Sequence, residues 1–399
     1  MFTRYLSVFL KRFFAIKASR QVRELYAADM IINLATAMVA LFEPIYLWTQ
    51  GFTLSGILYF YLGVYVLYFI FMPLGAKFAR RFGYERAILL STPFLVAFYL
   101  LLYLIHRDFQ FTYFAVAALA LQKTFYWPAY HADFARFGRT DERGREVGNS
   151  LVINSLVYII GPFLGGLIIS FWGFNVLFMI IGVLILASNI PLMTTPEKFK
   201  SVPFSYWHAY RRLSYPENRR NFFGYFGFGE ELIVLVVWPI FIYSVIGDFL
   251  SVGSLVAGAT LVTTLVLLYV GRLTDGDVGE RRSILKVGSV FNSAAWWLRL
   301  LIGGSLGVFL VDTLSRISKN VIVVPMMAMT YERANETSVM KTVVFFEMSL
   351  VVGKILAIVL GLLVLRYINN SYGVLFALAG LMTLFYSLIK YEPIKIKDA

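Results

Sequence analysis

Residues 44–48 read Pro-Ile-Tyr-Leu-Trp, and residues 239–243 read Pro-Ile-Phe-Ile-Tyr. Each segment closes a long apolar stretch, and the two lie almost half the chain length apart. Self-similarity at such a fixed distance is typical of a chain built from copies of one structural unit. The sequence therefore predicts two equivalent halves.

The repeat extends through loops and apolar stretches far from these two segments, at an almost constant offset. In the first half the matching positions are Gly51, Leu54, Ser55, Gly83, Arg86, Ile88, Leu89, Lys123, Pro128 and Arg136. In the second half they are Gly247, Leu250, Ser251, Gly279, Arg282, Ile284, Leu285, Lys319, Pro325 and Arg333. Chance similarity between apolar helices does not explain matches that include charged residues, Gly and Pro.

The composition determines the class of protein. Of the 399 residues, 59% are hydrophobic and only 15% are charged, whereas soluble domains are about 45–50% apolar and about 25% charged. This excludes a soluble enzyme, a nucleic-acid-binding module or a disordered chain. The absence of Cys excludes disulfides and thiolate metal sites. The sequence predicts an integral membrane protein.

About 20 mostly apolar residues are needed to cross a bilayer as a helix. Charge clusters and turn residues divide the chain into twelve such stretches, predicted at 24–48, 54–78, 86–105, 110–134, 147–171, 174–194, 221–246, 250–274, 283–302, 304–329, 339–366 and 371–390. The longest loop, 195–220, is too short for a soluble domain. Functional groups must therefore lie between the helices.

The distribution of Lys and Arg predicts the orientation. Most of the 36 basic residues lie at the termini and in loops on one side, whereas the other side carries only Arg107 and Arg366. Since cytoplasmic loops are enriched in Lys and Arg, both termini are predicted to be cytoplasmic, and the location to be the inner, cytoplasmic membrane. The net charge of +13 then reflects topology rather than nucleic-acid binding.

These predictions give a five-part layout with two helical bundles. The parts are an amphipathic cytoplasmic helix (1–23), a six-helix bundle (24–194), a cytoplasmic linker (195–220), a second six-helix bundle (221–390) and a tail (391–399). An even number of spans per half makes the repeats parallel, related by an axis along the membrane normal. Such a two-lobed plan, with a cavity on the axis, is typical of alternating-access transporters.

Three motifs resemble those of the major facilitator superfamily. The first is Gly271-Arg272-Leu273-Thr274-Asp275 followed by Gly279-Glu280-Arg281-Arg282, with a degraded copy at 76–86 in which Arg80 occupies the Asp position. The second is Glu142-Arg143-Gly144-Arg145 with Gly148, and the third is Gly161-Pro162-Phe163-Leu164-Gly165-Gly166, which resembles a motif of the antiporters. The resemblance covers essentially the whole chain and implies a twelve-helix secondary transporter.

The first and third motifs also have a physical interpretation. Asp275, Arg281 and Arg282 are predicted to form a cytoplasmic gate, with Arg80, Arg81 and Gly83 as the counterpart in the first half. The alternative is that these are ordinary cytoplasmic loop charges. Gly161, Pro162, Gly165 and Gly166 are predicted to bend a helix or to allow close helix contact, because small residues let helices approach.

Ionisable groups inside a span cost about 2.5–3.5 kcal/mol on insertion scales, so each one needs a partner, a wet cavity or a role. The predicted substrate-binding residues are Asn33, Glu43, Lys123, Trp127, Tyr130, Trp238, Arg316 and Lys319. The predicted proton-coupling residues are Asp29, Glu230, Glu231 and Glu347. Lys123 and Lys319 occupy equivalent repeat positions and are expected to face each other across the cavity.

Alternatives to these roles remain open at the level of sequence. Asp312, Arg316, Lys319, Glu347 and Lys354 would neutralise one another between the tenth and eleventh spans if they were purely structural. His131 and Asp133 lie at the predicted cytoplasmic end of the fourth span, where side chains reach water easily. They are therefore expected to have no role in transport.

The leading functional hypothesis is a proton-coupled transporter that moves a small organic solute by alternating access, with export by antiport slightly favoured. The same-class alternative is uptake of an anionic metabolite, favoured by Lys123 and Lys319. Two alternatives belong to other classes of protein. One is a polytopic membrane enzyme that uses His131 and Asp133, and the other is a sensor that binds solute without moving it. We expect a functional monomer with solute, protons and membrane lipids as partners, and without a cofactor, metal or nucleic acid.

Overall fold

A computed structural model describes residues 20–137, 143–194, 199–270, 278–368 and 371–390. The described residues are 89% helical and include no strand. The α-helices are α1 (Arg20–Val39), α2 (Glu43–Thr49), α3 (Leu54–Phe82), α4 (Tyr84–Leu104), α5 (Phe111–Phe137), α6 (Arg143–Ala187), α7 (Asn189–Leu192), α8 (Tyr206–Leu213), α9 (Arg219–Tyr225), α10 (Gly229–Leu232), α11 (Trp238–Ile246), α12 (Phe249–Val270), α13 (Val278–Leu298), α14 (Gly304–Glu336), α15 (Val339–Tyr367) and α16 (Ser371–Thr383).

Seven stretches of the described chain are long and apolar enough to cross a membrane. Helices α5, α13 and α14 are of similar length but more polar on average. In the apolar stretch Asn154–Leu192 only 28% of the most hydrophobic window is buried inside the protein. Exposed apolar side chains such as Phe171 and Trp172 cover its outer surface, as a lipid-facing helix requires.

Three predicted spans contain breaks. Gly173, with φ +80°, divides α6 between the predicted spans 147–171 and 174–194, because only Gly adopts this backbone conformation without strain. The predicted span 221–246 consists of α9, a 3₁₀ turn (Phe226–Phe228), α10, a π-helical segment (Ile233–Val237) and α11. Residues 40–42 separate α1 from α2 within the first span.

The glycines of the broken segment allow it to pack unusually close to its neighbours. A Cβ on Gly224 would overlap Ile389, and one on Gly227 would overlap the Tyr386 ring. Glu230 and Glu231 lie on α10, between the 3₁₀ turn and the π-helical segment. Segments of these two kinds within a helix often mark functional sites.

The first half (α1–α7) and the second half (α9–α16) meet along a seam formed by helix pairs. Helix α3 packs on α15, and α6 packs on α12. At the end of the seam near the linker, α5 contacts α14 and α15, whereas α2 contacts α11 at the opposite end. The two halves therefore touch at both ends of the seam.

The linker contains a helix of its own. Helix α8 lies against α3 of the first half and α15 of the second half. The predicted N-terminal helix 1–23 falls outside the described residues except for its last four positions, and the predicted tail 391–399 falls outside them entirely.

Gly165 offers a direct test of the packing within the first half. A Cβ at this position would overlap the carbonyl oxygen of Met38 on α1. Such overpacking costs typically about 1–3 kcal/mol, so Gly165→Ala is expected to lower the thermal unfolding temperature of the detergent-purified protein. Gly182→Ala is the control, because a Cβ on Gly182 of the same helix has no neighbour within 4 Å. Equal unfolding temperatures for both variants would contradict this packing.

Candidate substrate and proton site

Charged side chains from both halves gather along the seam, midway along the helices that form it. Helix α5 contributes Lys123, α10 contributes Glu230 and Glu231, α14 contributes Lys319, and α15 contributes Lys354. Each of these positions was singled out from the sequence because charge within an apolar span is costly. The structure shows how these charges are compensated.

Glu230 and Glu231 point in different directions, as adjacent helical residues must. Glu230 is 1% exposed and forms an ion pair with Lys319, while the indole Nε1 of Trp296 donates to its Oε2 at 3.1 Å. The side chain of Glu231 is 32% exposed, and its Oε2 lies 2.6 Å from Lys354 Nζ. Glu231 is thus the more accessible of the two carboxylates.

Three lysines interact electrostatically with Glu231. Besides Lys354, it lies within electrostatic range of Lys319 and Lys123. Lys123 and Lys354, one from each half, both approach the ring of Tyr65, with Nζ-to-centroid distances of 5.8 and 5.3 Å. The two halves therefore share one electrostatic centre around Tyr65 and Glu231.

Lys319 does not face Lys123 as a free cation, because its amine is taken up within the second half. In addition to Glu230, Lys319 donates to the hydroxyl of Tyr386 at 2.6 Å. Lys123 makes no ion pair within the described part of the chain. The repeat-equivalent lysines thus differ: one is neutralised and the other is available.

A second buried cluster lies deeper in the second half. Arg316 Nε donates to Asp312 Oδ2 at 2.6 Å, and Trp238 Nε1 donates to Asp312 Oδ1 at 2.8 Å. The Arg299 guanidinium is sandwiched between Trp296 and Trp238, 3.5 and 4.1 Å from their ring centroids. Trp238 is 1% exposed, so the structure places it in the interior of this half, apart from Trp127 and Tyr130.

Hydrogen bonds join the polar residues of α1 to α6 in the first half. Asn33 Nδ2 donates to Asn154 Oδ1 at 3.1 Å, and Asn154 Nδ2 donates to Asp29 Oδ2 at 3.5 Å. Asp29 and Asn33, four residues apart on α1, therefore share one cluster. Asn154 was missed by the sequence analysis, because an uncharged polar residue in a span gives a weak signal.

Glu43 has different partners from those of Asp29 and Asn33 in the first half. The hydroxyl of Tyr61 donates to Glu43 Oε1 at 2.6 Å, and Lys123 lies within electrostatic range of the same carboxylate. Tyr61 and Tyr65 sit four residues apart on α3, so they face the same direction. Neither tyrosine was singled out from the sequence, where 25 Tyr residues give no basis for choosing among them.

Glu347 connects the two halves at the end of the seam near the linker. The hydroxyl of Tyr68 on α3 donates to its Oε2 at 2.8 Å, and His131 Nε2 on α5 lies 3.0 Å from its Oε1. Glu347 and His131 are only 4% and 8% exposed. His131 Nδ1 also lies 2.8 Å from the Tyr331 hydroxyl on α14. This cluster, which we call the cross-seam bridge, consists of Tyr68, His131, Tyr331 and Glu347.

The expectation that His131 reaches water was wrong, because its side chain is buried. The opposite half covers this end of α5, which a reading of α5 alone cannot show. Asp133 is likewise buried, with 2% exposure. The four residues of the cross-seam bridge come from four different helices, so their spacing in the sequence carries no sign of the cluster.

Aromatic side chains of α5 pack against one another and against the bridge. The rings of Tyr126 and Tyr130 stack with centroids 5.4 Å apart, and Trp127 stacks on His131 at the same distance. Tyr130 also stacks on Phe134. The structure thus brings Trp127 and Tyr130 together beside the bridge.

Comparison with known families identifies the chain. The Major Facilitator Superfamily model matches residues 25–219. The chain belongs to the major facilitator superfamily. It is therefore a membrane transporter of the facilitator type. No individually curated protein matches the chain significantly.

The superfamily motifs fall partly within the described residues. Gly271 and Asp275 lie outside them, so the predicted gate pairing stays a prediction. Arg281 forms an ion pair with Glu332 at 2.7 Å, with both side chains about one third exposed, and Arg282 follows it in the second turn of α13. The pair joins α13 to α14 on the surface of the second half.

In the first-half counterpart of the gate, Arg80 and Arg81 form no ion pair with residues that the structure describes and make other contacts instead. The Arg80 side chain donates to the Tyr84 hydroxyl at 3.1 Å, and its carbonyl accepts from the Val202 N–H of the linker. Arg81 lies over the Phe82 ring, and Gly83 adopts φ +120° between α3 and α4. Arg80, which occupies the position of the motif's Asp, thus contacts Val202 of the linker in this superfamily member.

The four small or bend-forming residues of the third motif, Gly161, Pro162, Gly165 and Gly166, lie at two different helix contacts. Gly161 and Gly165 face Ala37 and Met38 of α1 within the first half. A Cβ on Gly166 would overlap the carbonyl oxygen of Phe249 on α12, and the carbonyl of Pro162 meets Gly253 of the same helix. The motif therefore forms both an internal contact and a contact across the seam.

Proposed function

We propose that this transporter moves a small organic solute by proton-coupled alternating access, with antiport-type export slightly favoured. The proposal includes twelve membrane-spanning segments and cytoplasmic termini. The spans would be α1 with α2, α3, α4, α5, the two parts of α6, the α9–α11 segment, α12, α13, α14, α15, and α16 with the 3₁₀ turn that follows it. The position of charged pairs midway along several of these helices supports an internal transport path.

The observation that carries the proton coupling is the cross-seam bridge. As a carboxylate, Glu347 accepts hydrogen bonds, whereas a protonated carboxyl must donate at one oxygen. Proton binding would therefore disturb the contacts of Glu347 with Tyr68 and His131, which tie the two halves together. One proton would thus bias the equilibrium between states open at opposite ends.

Glu231 is the second proton-coupling candidate of this proposal. Its partial exposure and its pairing with Lys354, whose amine lies near the Tyr65 ring, place an ionisable group at the seam between the two halves. A cationic solute that displaced Lys354, or a proton that neutralised Glu231, would compete for the same carboxylate. Such competition is a physical basis for exchange of solute against protons.

A thermal-shift screen tests the proposal first, because a ligand that binds the native state raises the unfolding temperature. The purified protein would be screened against metabolites and cationic drugs at two pH values. Hits would then be tested in proteoliposomes with an imposed pH gradient. Accumulation that follows the proton gradient supports the proposal, and solute flux that ignores the gradient contradicts it.

The alternative function, proton-coupled uptake of an anionic metabolite, is favoured by Lys123, whose amine lies near the Tyr65 ring and forms no ion pair with any residue that the structure describes. Charge-assisted hydrogen bonds are worth about 1.5–3 kcal/mol, so Lys123→Gln is expected to weaken the affinity for an anionic solute roughly tenfold or more. Affinity for a cationic solute should stay within about twofold. Calorimetric titration measures both, with Lys77→Gln, an exposed lysine of α3, as the control. Unchanged affinity for the anion would exclude Lys123 as its contact.

A further inference from the structure

A basic cavity lies beside the linker, away from the seam residues described above. It has a volume of about 450 Å³ and lies between the segment that includes α8 and the start of α15. Its lining includes Trp207, His208, Arg211, Arg212, Lys341 and Val344. Neither the transport path nor the superfamily motifs account for this cavity.

The cavity has an excess of positive charge. No acidic residue contributes to its lining. Arg211 and Lys341 are exposed, and neither forms an ion pair with any residue that the structure describes. Partial burial, together with the charges of Lys341, Arg212 and Arg211, lowers the pKa of His208. An anion seated here would relieve repulsion between cations held in one place.

The helix that forms one wall is fixed to the membrane-spanning part of the protein. The hydroxyls of Tyr206 and Tyr210 both lie 2.9 Å from the carbonyl oxygen of Ile70 on α3, and Tyr210 also donates to the Phe69 carbonyl at 3.2 Å. Pro73 lacks an N–H and so cannot use the Phe69 carbonyl as an α-helical acceptor. The two tyrosines therefore anchor α8 on α3, next to Pro73.

The anchoring of α8 also places the apolar ring of Trp207 beside Arg211 and Lys341 in the cavity lining. Trp207 is 70% exposed although its neighbours Tyr206 and Tyr210 are partly covered. Exposed Trp is typical of the membrane–water interface, where its ring sits among lipid headgroups. Val344, one turn along α15 from Lys341, extends the apolar side of the cavity.

We propose that this cavity binds the phosphate of an anionic phospholipid from the leaflet on the linker side. Arg211 and Lys341 contact the phosphate, and Trp207 packs against the glycerol backbone and upper acyl chains. A phospholipid fits better than a soluble phosphate because the cavity combines cations with exposed aromatic surface. Since its walls come from the linker and α15, and α8 is anchored on α3, the bound lipid stabilises contact between the two halves.

The test compares lipids by their effect on the unfolding temperature of the full-length protein in detergent. Short-chain phosphatidylglycerol is expected to raise that temperature by about 2–4 °C, whereas phosphatidylcholine of equal chain length is not. The double variant Arg211→Gln/Lys341→Gln should lose this response. Because both residues are exposed, its unfolding temperature without lipid should match that of the wild type.

The matched control is Lys77→Gln/Arg86→Gln, which removes two exposed charges from the linker-side ends of α3 and α4. Loss of the response in the first double variant and its retention in the control support the site. Equal responses in both variants would contradict it. Stabilisation by glycerol phosphate as strong as that by phosphatidylglycerol would overturn the lipid assignment in favour of a soluble phosphate.

Discussion

Replacing Glu347 with Gln is expected to reduce pH-gradient-driven solute accumulation in proteoliposomes at least tenfold. The substitution keeps the shape of the side chain but removes its charge and its titration. Hydrogen bonds to a charged group are worth about 1.5–3 kcal/mol, so the cross-seam bridge loses much of its strength. The loss of a titrating carboxylate removes the response to protons, while solute exchange without a gradient should continue at a rate within a few-fold of the wild type.

Glu332→Gln is the control for this prediction, since Glu332 also forms an ion pair but at the surface of the second half. Exposed pairs contribute about 0–1 kcal/mol, so this variant should retain gradient-driven accumulation. Full accumulation by the Glu347→Gln protein would exclude Glu347 as the proton carrier. Loss of both accumulation and exchange would indicate that Glu347 is needed for the conformational change itself.

Gly253→Ala is expected to disfavour closure of the seam at the end opposite the linker. The added Cβ would overlap the carbonyl oxygen of Pro162 on α6, and overpacking of this kind costs typically about 1–3 kcal/mol. Because 1.4 kcal/mol corresponds to a tenfold change in an equilibrium constant, the population would shift by about fivefold to more than a hundredfold toward states in which α6 and α12 separate. Transport should fall accordingly, since both states are needed in each cycle.

Gly258→Ala on the same helix provides the matched control. A Cβ on Gly258 meets only Phe309, at an ordinary distance of 3.4 Å and within the second half. Ala is favoured over Gly within helices by about 1 kcal/mol, so this variant should be as stable as the wild type or more so. If Gly253→Ala and Gly258→Ala transported solute equally well, the contact between α6 and α12 would not limit the cycle.

The sequence predicted those features that depend on the geometry of a single helix or on a motif. Asp29 and Asn33 lie four residues apart on α1, so helical geometry alone places them on one face, where the structure joins them through Asn154. The divergent directions of Glu230 and Glu231 follow from helical geometry alone. Membership of the superfamily was predicted from the motifs and is confirmed by the family match.

The partners of the charged groups could not be predicted, because they lie on other helices. Lys319 and Lys123 are equivalent in the repeat, but only the packing of the α9–α11 segment brings Glu230 to Lys319. His131 was set aside because α5 alone suggested access to water. Its burial depends on α14 and α15 of the other half, and no periodicity within one helix encodes that contact.

The central claim is that the two halves rock about the seam so that a solute path opens at each end in turn. The chain contains no Cys, so spin labels can be attached at single introduced cysteines without background. Labels at positions 86 and 286 report on the linker side, and labels at 110 and 303 report on the opposite side. Pulsed electron resonance would measure both distances at several pH values and with a solute bound. The account predicts that one distance lengthens as the other shortens, whereas two distances unaffected by protons and solute would contradict it.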